Sequence, residues 1–458
     1  MKSRWKAKNG YRDVLTIGLP LAASMASATI TQVTDRVFLG KYSLEALGAS
    51  LSASVTNFVL IAFFGGLASY VNVFIAQYVG AKRPDEVGTS LWQGIWFALF
   101  SSVMIAAFSL LGPVVFTASG HSPEIQVLEI PYFQILCLGS GFNVMAMTLS
   151  QFFTGRGITR PVLLVNIFGV FINIPLDYLM IFGPGPFPEL GIRGAGIATI
   201  ISWAVAAAMF ALMIFTERNE ALYKVRSNWR LQWKRFKALL YFGLPSGVEF
   251  FLDVFGFAVF IFLIGRLGNA ELAATNMAFT LNQFSYMPMV GMHIATQIMM
   301  GQAIGGKKPD EGAEAAKSAL HICLCWGCLM STLFILFPGI FTEMFRPNGY
   351  TDAQFANVHE MGRILLLYVA GYTMLDAFSI IFIGALKGAG DTRFVMRLIG
   401  FSSMCVLVLP VYFVLEVFHL GLYSAWFLVD FYVFTLVTFS YLRYKKGAWR
   451  SMSVIRDA

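Results

Sequence analysis

Hydrophobic residues in this chain occur in long runs that short polar segments separate. The stretches 90–111 and 396–415, for example, contain no more than one charged residue each. A helix needs about 20 such residues to cross roughly 30 Å of hydrocarbon, whereas the strands of a membrane barrel would alternate in polarity. We therefore predict an all-α polytopic membrane protein with twelve transmembrane helices, at about 15–39, 51–79, 90–112, 128–153, 161–183, 194–216, 238–264, 272–300, 317–341, 358–385, 395–415 and 421–442.

The composition supports a membrane protein. Hydrophobic residues make up 57% of the 458 positions and charged residues only 13%, against roughly 25% charged residues in an ordinary soluble domain. The net charge of +8 could indicate nucleic-acid binding in a soluble protein. Here the basic residues are distributed over loops, so we predict contact with the lipid bilayer and no nucleic-acid partner.

The basic residues alternate between the two sides of the predicted membrane. Of the 33 Lys and Arg residues, 27 lie in segments on the same side as the N-terminus, four in the opposite loops and two within spans. The positive-inside rule then places both termini in the cytoplasm. We predict that the chain crosses the inner (plasma) membrane. The first thirty residues also resemble a secretory signal, but we interpret them as the first span because part of this segment recurs later.

The second half of the chain repeats the first. Gly18-Leu19-Pro20 recurs as Gly243-Leu244-Pro245, and the sequence KRPDE at 82–86 recurs as KKPDE at 307–311, both at an offset of 225 residues. Each half holds six spans, and because six is even, both halves enter the membrane in the same orientation. We predict a parallel internal repeat with an N-lobe (1–216), a basic cytoplasmic connector (217–237) and a C-lobe (238–458). Two such bundles suit a carrier that works by alternating access.

Ionisable residues inside spans of the first half indicate a cation site. Asn173 and Asp177 are four residues apart, so they share one helical face, and Asn166 extends that face. Asp35 in the first span and Thr199 in the sixth add a carboxylate and a hydroxyl. These oxygens are ligands for a hard cation, and a carboxylate in a dry site can also exchange a proton.

Two structural explanations compete with this interpretation. Asp177 could be solvated at the end of its helix, and Asp35 could form an ion pair with Arg36.

Pro20, fifteen residues before Asp35, removes a backbone hydrogen bond and predicts a bend in the first span.

The second half carries a further acidic group, which we predict to bind substrate or a second ion. Glu249 and Asp253 are four residues apart in span 7, and Asp376 in span 10 could face the same cavity. We interpret Asp430 as structural. Span 8 is rich in soft side chains that suit a promiscuous site, including Tyr286, Met287 and Met289, although ordinary packing would explain them as well.

Signatures of enzymes are missing from the sequence. We find no phosphate-binding loop, no His-Glu-x-x-His motif and no nucleophile elbow. The five cysteines all lie in apolar runs, and their spacing does not match that of zinc sites. We therefore predict no cofactor, no metal beyond a possible Na⁺ at Asp35, Asn173 and Asp177, and uphill transport driven by an ion gradient.

Several blocks resemble the multidrug and toxic compound extrusion (MATE) family. They lie at 33–40 (VTDRVFLG), 155–161 (GRGITRP), 191–199 and 384–392 (GALKGAGDT). The resemblance covers nearly the whole chain and implies a V-shaped pair of six-helix lobes that exchanges drugs for H⁺ or Na⁺. Ile158 departs from the pattern of the block, because the second-half copy has an acidic residue, Asp391, at the matching position.

The resemblance also implies roles for individual residues. Asp35, Asn173, Asp177 and Thr199 fall where the family has its N-lobe cation-coupling network, and Pro20 falls on the bend of its first span. Asp376 matches an aspartate of the family. Asp253 stands where some members carry a glutamate, and because aspartate has the shorter side chain, this change argues against an ion site in the C-lobe.

We accordingly expect a monomeric antiporter that exports organic cations, is coupled to H⁺ in preference to Na⁺, and is not an enzyme. Three alternatives remain open at this point. A lipid-linked saccharide flippase would need more buried positive charge than Arg36 and Arg363 supply. A membrane-embedded enzyme would need a metal or acid/base cluster at one membrane face. A channel would pass its solute only downhill and without saturation.

Overall fold

A computed structural model of the chain describes residues 2–118, 121–346 and 352–455. These residues form helices joined by short loops, and no β-strand occurs within those three ranges. The long helices are α1 (Tyr11–Tyr42), α2 (Glu45–Gly80), α3 (Asp85–Ala118), α4 (Pro123–Thr154), α5 (Arg160–Phe182), α6 (Ile192–Ile214), α7 (Trp233–Gly265), α8 (Asn269–Gly305), α9 (Pro309–Leu336), α10 (Asp352–Ala389), α11 (Thr392–Val417) and α12 (Leu422–Lys445). Shorter helices occupy Lys2–Trp5, Glu217–Tyr223, Pro338–Glu343 and Ala448–Ser451.

Most of the long helices can cross a membrane. In the described ranges, eleven of them are long and apolar enough to do so, and α8 is the long helix that does not meet this standard. Although α8 has 37 residues, it carries polar side chains along its length, and four of these are buried: Thr275, Ser285, Thr296 and Gln297. Protein rather than lipid therefore surrounds much of its polar surface. The predicted all-α, multi-pass fold is confirmed.

The predicted run at 317–341 is wrong at both ends, because α9 occupies Pro309–Leu336. Pro309 stands in the first turn of α9, where its missing N–H costs nothing, and two acidic residues follow it in that turn. At the other end, Phe337 leaves the helical conformation (φ −127°, ψ 38°) and Pro338 begins a separate short helix. A proline restrains the residue before it from the α conformation, so the hydrophobic run is longer than the helix.

Packing divides the chain into two compact units that do not follow the order of the sequence. One unit contains the chain up to Ala22 together with Leu252–Ser453, and the other contains Ala23–Phe251 with the residues from Val454. The divisions fall inside α1 and α7, the first helices of the two repeats. The lobe boundaries at 216 and 238 stay a prediction.

Each unit has an interior of its own. In the unit that contains Leu252–Ser453, Trp426 and Phe260 are fully buried, and the ring of Phe279 lies 5.0 Å from that of Trp426. In the other unit, buried aromatic residues come from α2, α4 and α6, among them Phe152 and Phe210. Such side chains contribute about 1.5–3 kcal/mol each when they leave water, and packing contributes in lipid as well.

The five cysteines are free thiols. Cys137 and Cys323 are buried, and Cys325, Cys328 and Cys405 are exposed on the surface of their helices. No group of three or more His, Cys, Asp or Glu side chains able to hold a metal ion occurs in the part of the chain that the structure describes.

Candidate functional site

Helix α5 presents two polar side chains to the interior of its unit. Asn173 and Asp177 are one turn apart in α5, and their exposed fractions are 1% and 0%. Polar groups at this depth need partners, since an unpaired buried group costs about 1–3 kcal/mol. Pro175 lies between them within the same helix. The alternative in which Asp177 is solvated at the end of its helix is therefore wrong.

Asn173 links two carboxyl groups that come from different helices. With its amide nitrogen turned toward them, Asn173 donates to Asp177 Oδ2 at 2.9 Å and to Asp35 Oδ1 at 3.1 Å. The carboxyl groups of Asp35 and Asp177 are close enough to share a hydrogen bond when one of them is protonated. A hydrogen bond between two carboxyl groups requires a proton on one of them, so this pair can hold one proton.

One oxygen of the pair is unpaired. Asp177 Oδ1 is buried and has no hydrogen-bond partner among the described residues. A free acceptor beside two carboxyl groups can take a proton, a water molecule or a hard cation. The side chains present therefore fit a monovalent cation as well as a proton.

Tyr132 of α4 is a member of this site that the sequence did not reveal. Its side chain is 4% exposed, is hydrogen-bonded to Ser54 and interacts electrostatically with both carboxyl groups. The glycine at 196 in α6 permits this arrangement, because a Cβ there would lie 3.3 Å from the Tyr132 ring. A tyrosine directly after the in-helix Pro131 was the only available signal, and it is a weak one.

The other residues predicted for the first half lie around this pair without joining it. Thr199 is half-buried on α6, and no hydrogen bond from it to either carboxyl group occurs within the described ranges. Asn166 donates instead to Ser24 of α1. Pro20 lies within α1, which is helical on both sides of it, so the predicted bend stays a prediction. Arg36 is exposed and attracts Asp35, and across the described residues no ion pair joins them.

The acidic residues of the second half form another cluster, in which Asp253 and Asp376 are half-buried. Tyr432 of α12 donates to Asp253 Oδ1 at 2.9 Å, and Ser379 of α10 donates to Asp376 Oδ1 at 3.0 Å. Asp253 and Asp376 are near enough to interact electrostatically, as are Tyr286 and Tyr432. The structure therefore brings together three residues that the sequence singled out, and Tyr432 adds a donor that it did not.

Two further groups, the half-buried Asp430 and the buried Tyr372, adjoin this cluster. Asp430 of α12 and Tyr372 of α10 interact electrostatically, and both Asp430 Oδ1 and the Tyr372 hydroxyl lack a hydrogen-bond partner among the described residues. A Cβ at Gly371 would lie 3.6 Å from Asp430 Oδ2, so the acid faces α10 closely. Asp430 thus faces α10, the helix that carries Asp376, and the structural role that the sequence suggested for it stays a prediction.

The remaining predicted residues lie elsewhere. Glu249 is buried, with 9% of its surface exposed, and belongs to the compact unit of Ala23–Phe251, whereas Asp253 belongs to the other unit. Met289 is 1% exposed and packs in the hydrophobic interior beside Gly327. Met287 is half-buried.

Sequence comparisons identify relatives along almost the whole chain. The MatE family model matches residues 20–179 and 245–414. A probable multidrug resistance protein NorM from Thermotoga maritima is 28% identical over 97% of this chain and 94% of its own length. The multidrug resistance protein MdtK of Photorhabdus laumondii is 26% identical over 87% of this chain and 86% of its own length.

Solved structures share the fold. A MOP superfamily transporter from Pyrococcus furiosus superimposes with a TM-score of 0.88 at 19% identity, over 98% of both chains. A multidrug resistance MATE family transporter in an outward-facing conformation superimposes with a TM-score of 0.86 at 20% identity, over 96% of this chain and 97% of its own. At these identities the likeness concerns the fold alone.

Proposed function

The chain belongs to the MATE family of membrane transporters, and from this membership we propose that it exports organic cations and other amphiphilic drugs in exchange for an inward-moving cation. The relatives named multidrug resistance proteins support the choice of substrate. The pair formed by the half-buried Asp35 and the fully buried Asp177 carries the proposal for coupling. Among the described residues of the first repeat, these two carboxyl groups share one hydrogen-bond network, which Asn173 joins.

We assign the coupling step to this pair. In one state, Asp35 and Asp177 hold a proton between them and Asn173 donates to both. When the proton leaves, two negative charges remain side by side, and they repel each other unless a cation or water enters. Loss of the proton therefore changes the stability of the contact between α1 and α5. Coupling requires a contact of this kind, which is stable in one protonation state and weakened in the other.

We favour a proton over a sodium ion as the coupling ion. Sodium would call for several oxygen ligands. Asp35 and Asp177 supply two carboxyl groups, whereas Thr199 makes no hydrogen bond with them across the described residues. One proton satisfies the contact between the two acids without any rearrangement.

The acidic cluster of α7, α10 and α12 is our candidate for recognition of the cationic group of the drug. Asp253 and Asp376 supply negative charge, while Tyr286 and Tyr432 supply aromatic faces that attract organic cations. The driving force for transport would then come from the ion gradient, and the site for the drug would be distinct from the site for the proton.

The architecture completes the proposal. Both termini lie in the cytoplasm, the chain crosses the inner membrane as a monomer, and two lobes at 1–216 and 238–458 alternate their access to the two sides. The distribution of Lys and Arg supports the placement of the termini, and the internal repeat supports the two lobes.

Transport by purified protein tests the function. Efflux of a fluorescent organic cation from proteoliposomes would be followed under separately imposed H⁺ and Na⁺ gradients. We expect a proton gradient alone to drive efflux, Asp35→Asn to abolish the driven component, and Glu124→Gln, which removes an exposed acid at the start of α4, to leave it intact. Efflux that ignores both gradients and survives Asp35→Asn would contradict the proposal.

A further inference from the structure

The connector (217–237) is fixed to the membrane helices of its own unit. The indole nitrogen of Trp92 on α3 donates to the carbonyl of Val225 at 2.6 Å, and that of Trp96 donates to the carbonyl of Trp229 at 2.9 Å. Asn228 adds a hydrogen bond to the Thr89 hydroxyl at 3.0 Å. Three side-chain hydrogen bonds along two turns of one helix hold the connector in a defined place.

Close packing reinforces this attachment. A Cβ at Gly88 would lie 2.3 Å from the carbonyl oxygen of Tyr223, so the connector approaches α3 at a distance that only glycine allows. The Arg156 guanidinium lies 3.8 Å from the centre of the Phe152 ring and 4.7 Å from that of Tyr223. The connector therefore has a defined conformation on the surface of α3 and is not a flexible linker.

That surface carries unpaired positive charge. The connector contains seven basic and two acidic residues. Arg235 is paired with Glu86 at 2.7 Å, and Arg226 donates to the carbonyl of Phe215. The other five are exposed and join no ion pair within the described ranges: Arg218, Lys224, Arg230, Lys234 and Lys237.

One of the acids of the connector is already engaged. Glu220 accepts hydrogen bonds from the Ser227 hydroxyl and from the backbone N–H of Arg226. These bonds hold the pKa of Glu220 below its usual value, the bond from Ser227 having the larger effect. Glu220 also attracts Lys224, which has a smaller effect on its pKa than these hydrogen bonds, and no ion pair joins the two side chains within the described ranges.

Large apolar side chains stand among these charges. Trp229 and Trp233 are 52% and 60% exposed, and the ammonium group of Lys237 lies 5.4 Å from the centre of the Trp233 ring. Leu222 and Leu231 are about half exposed as well. Tryptophans concentrate at the level of lipid headgroups, where their rings meet both water and hydrocarbon. Lysine and arginine beside them attract acidic headgroups.

We propose that the connector is a binding surface for acidic phospholipids of the cytoplasmic leaflet. The five exposed basic residues would contact the headgroups, and Trp229 and Trp233 would insert beside the upper acyl chains. Because the hydrogen bonds to α3 fix the connector in advance, little conformational entropy is lost on binding. The charge, the exposed aromatic rings and the preformed shape together select an acidic lipid over a zwitterionic one.

A lipid-binding assay on the full-length protein tests this. Purified protein in an uncharged detergent would be titrated into a fluorescent phosphatidylglycerol, with fluorescent phosphatidylcholine as the comparison lipid, and binding would be read from anisotropy. We expect wild type to prefer phosphatidylglycerol, and this preference to disappear in about 0.5 M NaCl, where charges are screened within a few ångströms. The combined variant Lys224→Gln, Arg230→Gln, Lys234→Gln and Lys237→Gln should bind it at least about tenfold more weakly.

A charge-matched variant gives the control. Lys6→Gln, Arg12→Gln, Lys445→Gln and Lys446→Gln remove the same charge from exposed residues outside the connector, and this protein should bind phosphatidylglycerol as wild type does. Equal loss in both variants would show diffuse attraction and overturn the proposal. Unchanged binding in the connector variant would overturn it too, as would a wild-type preference that survives high salt.

Discussion

The side chains of Asn173 and Asp177, one turn apart in α5, meet at 2.9 Å between the amide nitrogen and Oδ2. The same amide lies 3.1 Å from Asp35 of α1. A single neutral donor therefore holds two acids from different helices. Charge-assisted hydrogen bonds of this kind are worth about 1.5–3 kcal/mol, so we expect Asn173 to influence how readily the proposed pair accepts and releases a cation.

Removal of the donor should weaken coupling without removing either acid. We expect Asn173→Ala to lower the rate of gradient-driven efflux by about tenfold to a hundredfold, because the hydrogen bonds to both carboxyl groups are lost. Proteoliposome efflux measures this. Asn166→Ala is the matched control on the same helix, since Asn166 donates to Ser24. Equal effects of the two substitutions would mean that Asn173 has no special part in coupling.

Removing a charge from the acidic cluster of the second repeat should weaken drug binding more than it weakens proton coupling. We expect Asp376→Asn to raise the KM for an organic cation by about tenfold while a proton gradient still drives efflux, because one attraction in a partly dry site is lost. Glu360→Gln removes an exposed acid from the same helix, α10, and should leave KM unchanged. Loss of gradient coupling in Asp376→Asn with an unchanged KM would place the coupling ion in this cluster instead.

The hydrogen bond from Tyr432 to Asp253 should contribute to stability. Tyr432 is 2% exposed, so Tyr432→Phe removes a buried donor and should lower the free energy of unfolding by about 1–3 kcal/mol. Thermal unfolding of the purified protein measures the change. Tyr441→Phe alters an exposed tyrosine of the same helix and should have little effect. If both variants melt alike, the contact between α7 and α12 is not stabilised by this bond.

The attachment of the connector makes a steric prediction. Gly88→Ala places a methyl group 2.3 Å from the Tyr223 carbonyl, and we expect a loss of about 1–3 kcal/mol in the free energy of unfolding, since backbone must move. Gly169→Ala tests the same change within α5, where nothing lies within 4 Å of the new atom. That variant should be as stable as wild type or slightly more so. Thermal unfolding that ranks them in the opposite order would refute the close contact.

Sequence reasoning was most successful where one helix carries the pattern. Hydrophobic runs predicted the long helices, and a four-residue spacing placed Asn173 and Asp177 on one face of α5. The end of α9 was missed because the hydrophobic run continues through Phe337 and Pro338, whereas the helical backbone conformation ends at Phe337. Hydropathy records which side chains prefer lipid, and it does not record where the backbone leaves the helix.

Partners on other helices could not be predicted in the same way. Tyr132 and Tyr432 resemble ordinary interior tyrosines in the sequence, and only the packing of α4 against α6 and of α12 against α7 brings them to the acids. Met289, which the sequence suggested for a drug site, is 1% exposed in the interior of its unit. A methionine-rich helix looks the same in sequence whether it lines a cavity or fills one.

Proton release on drug binding tests the central claim most directly. Unbuffered protein in detergent would receive a tetraphenylphosphonium-type cation while a pH indicator reports the protons released, with binding followed in parallel. If Asp35 and Asp177 hold the coupling proton, wild type releases about one proton per bound cation, and Asp35→Asn and Asp177→Asn bind the cation with no release. Unchanged proton release in both variants, or a release that depends on Na⁺, would contradict the account.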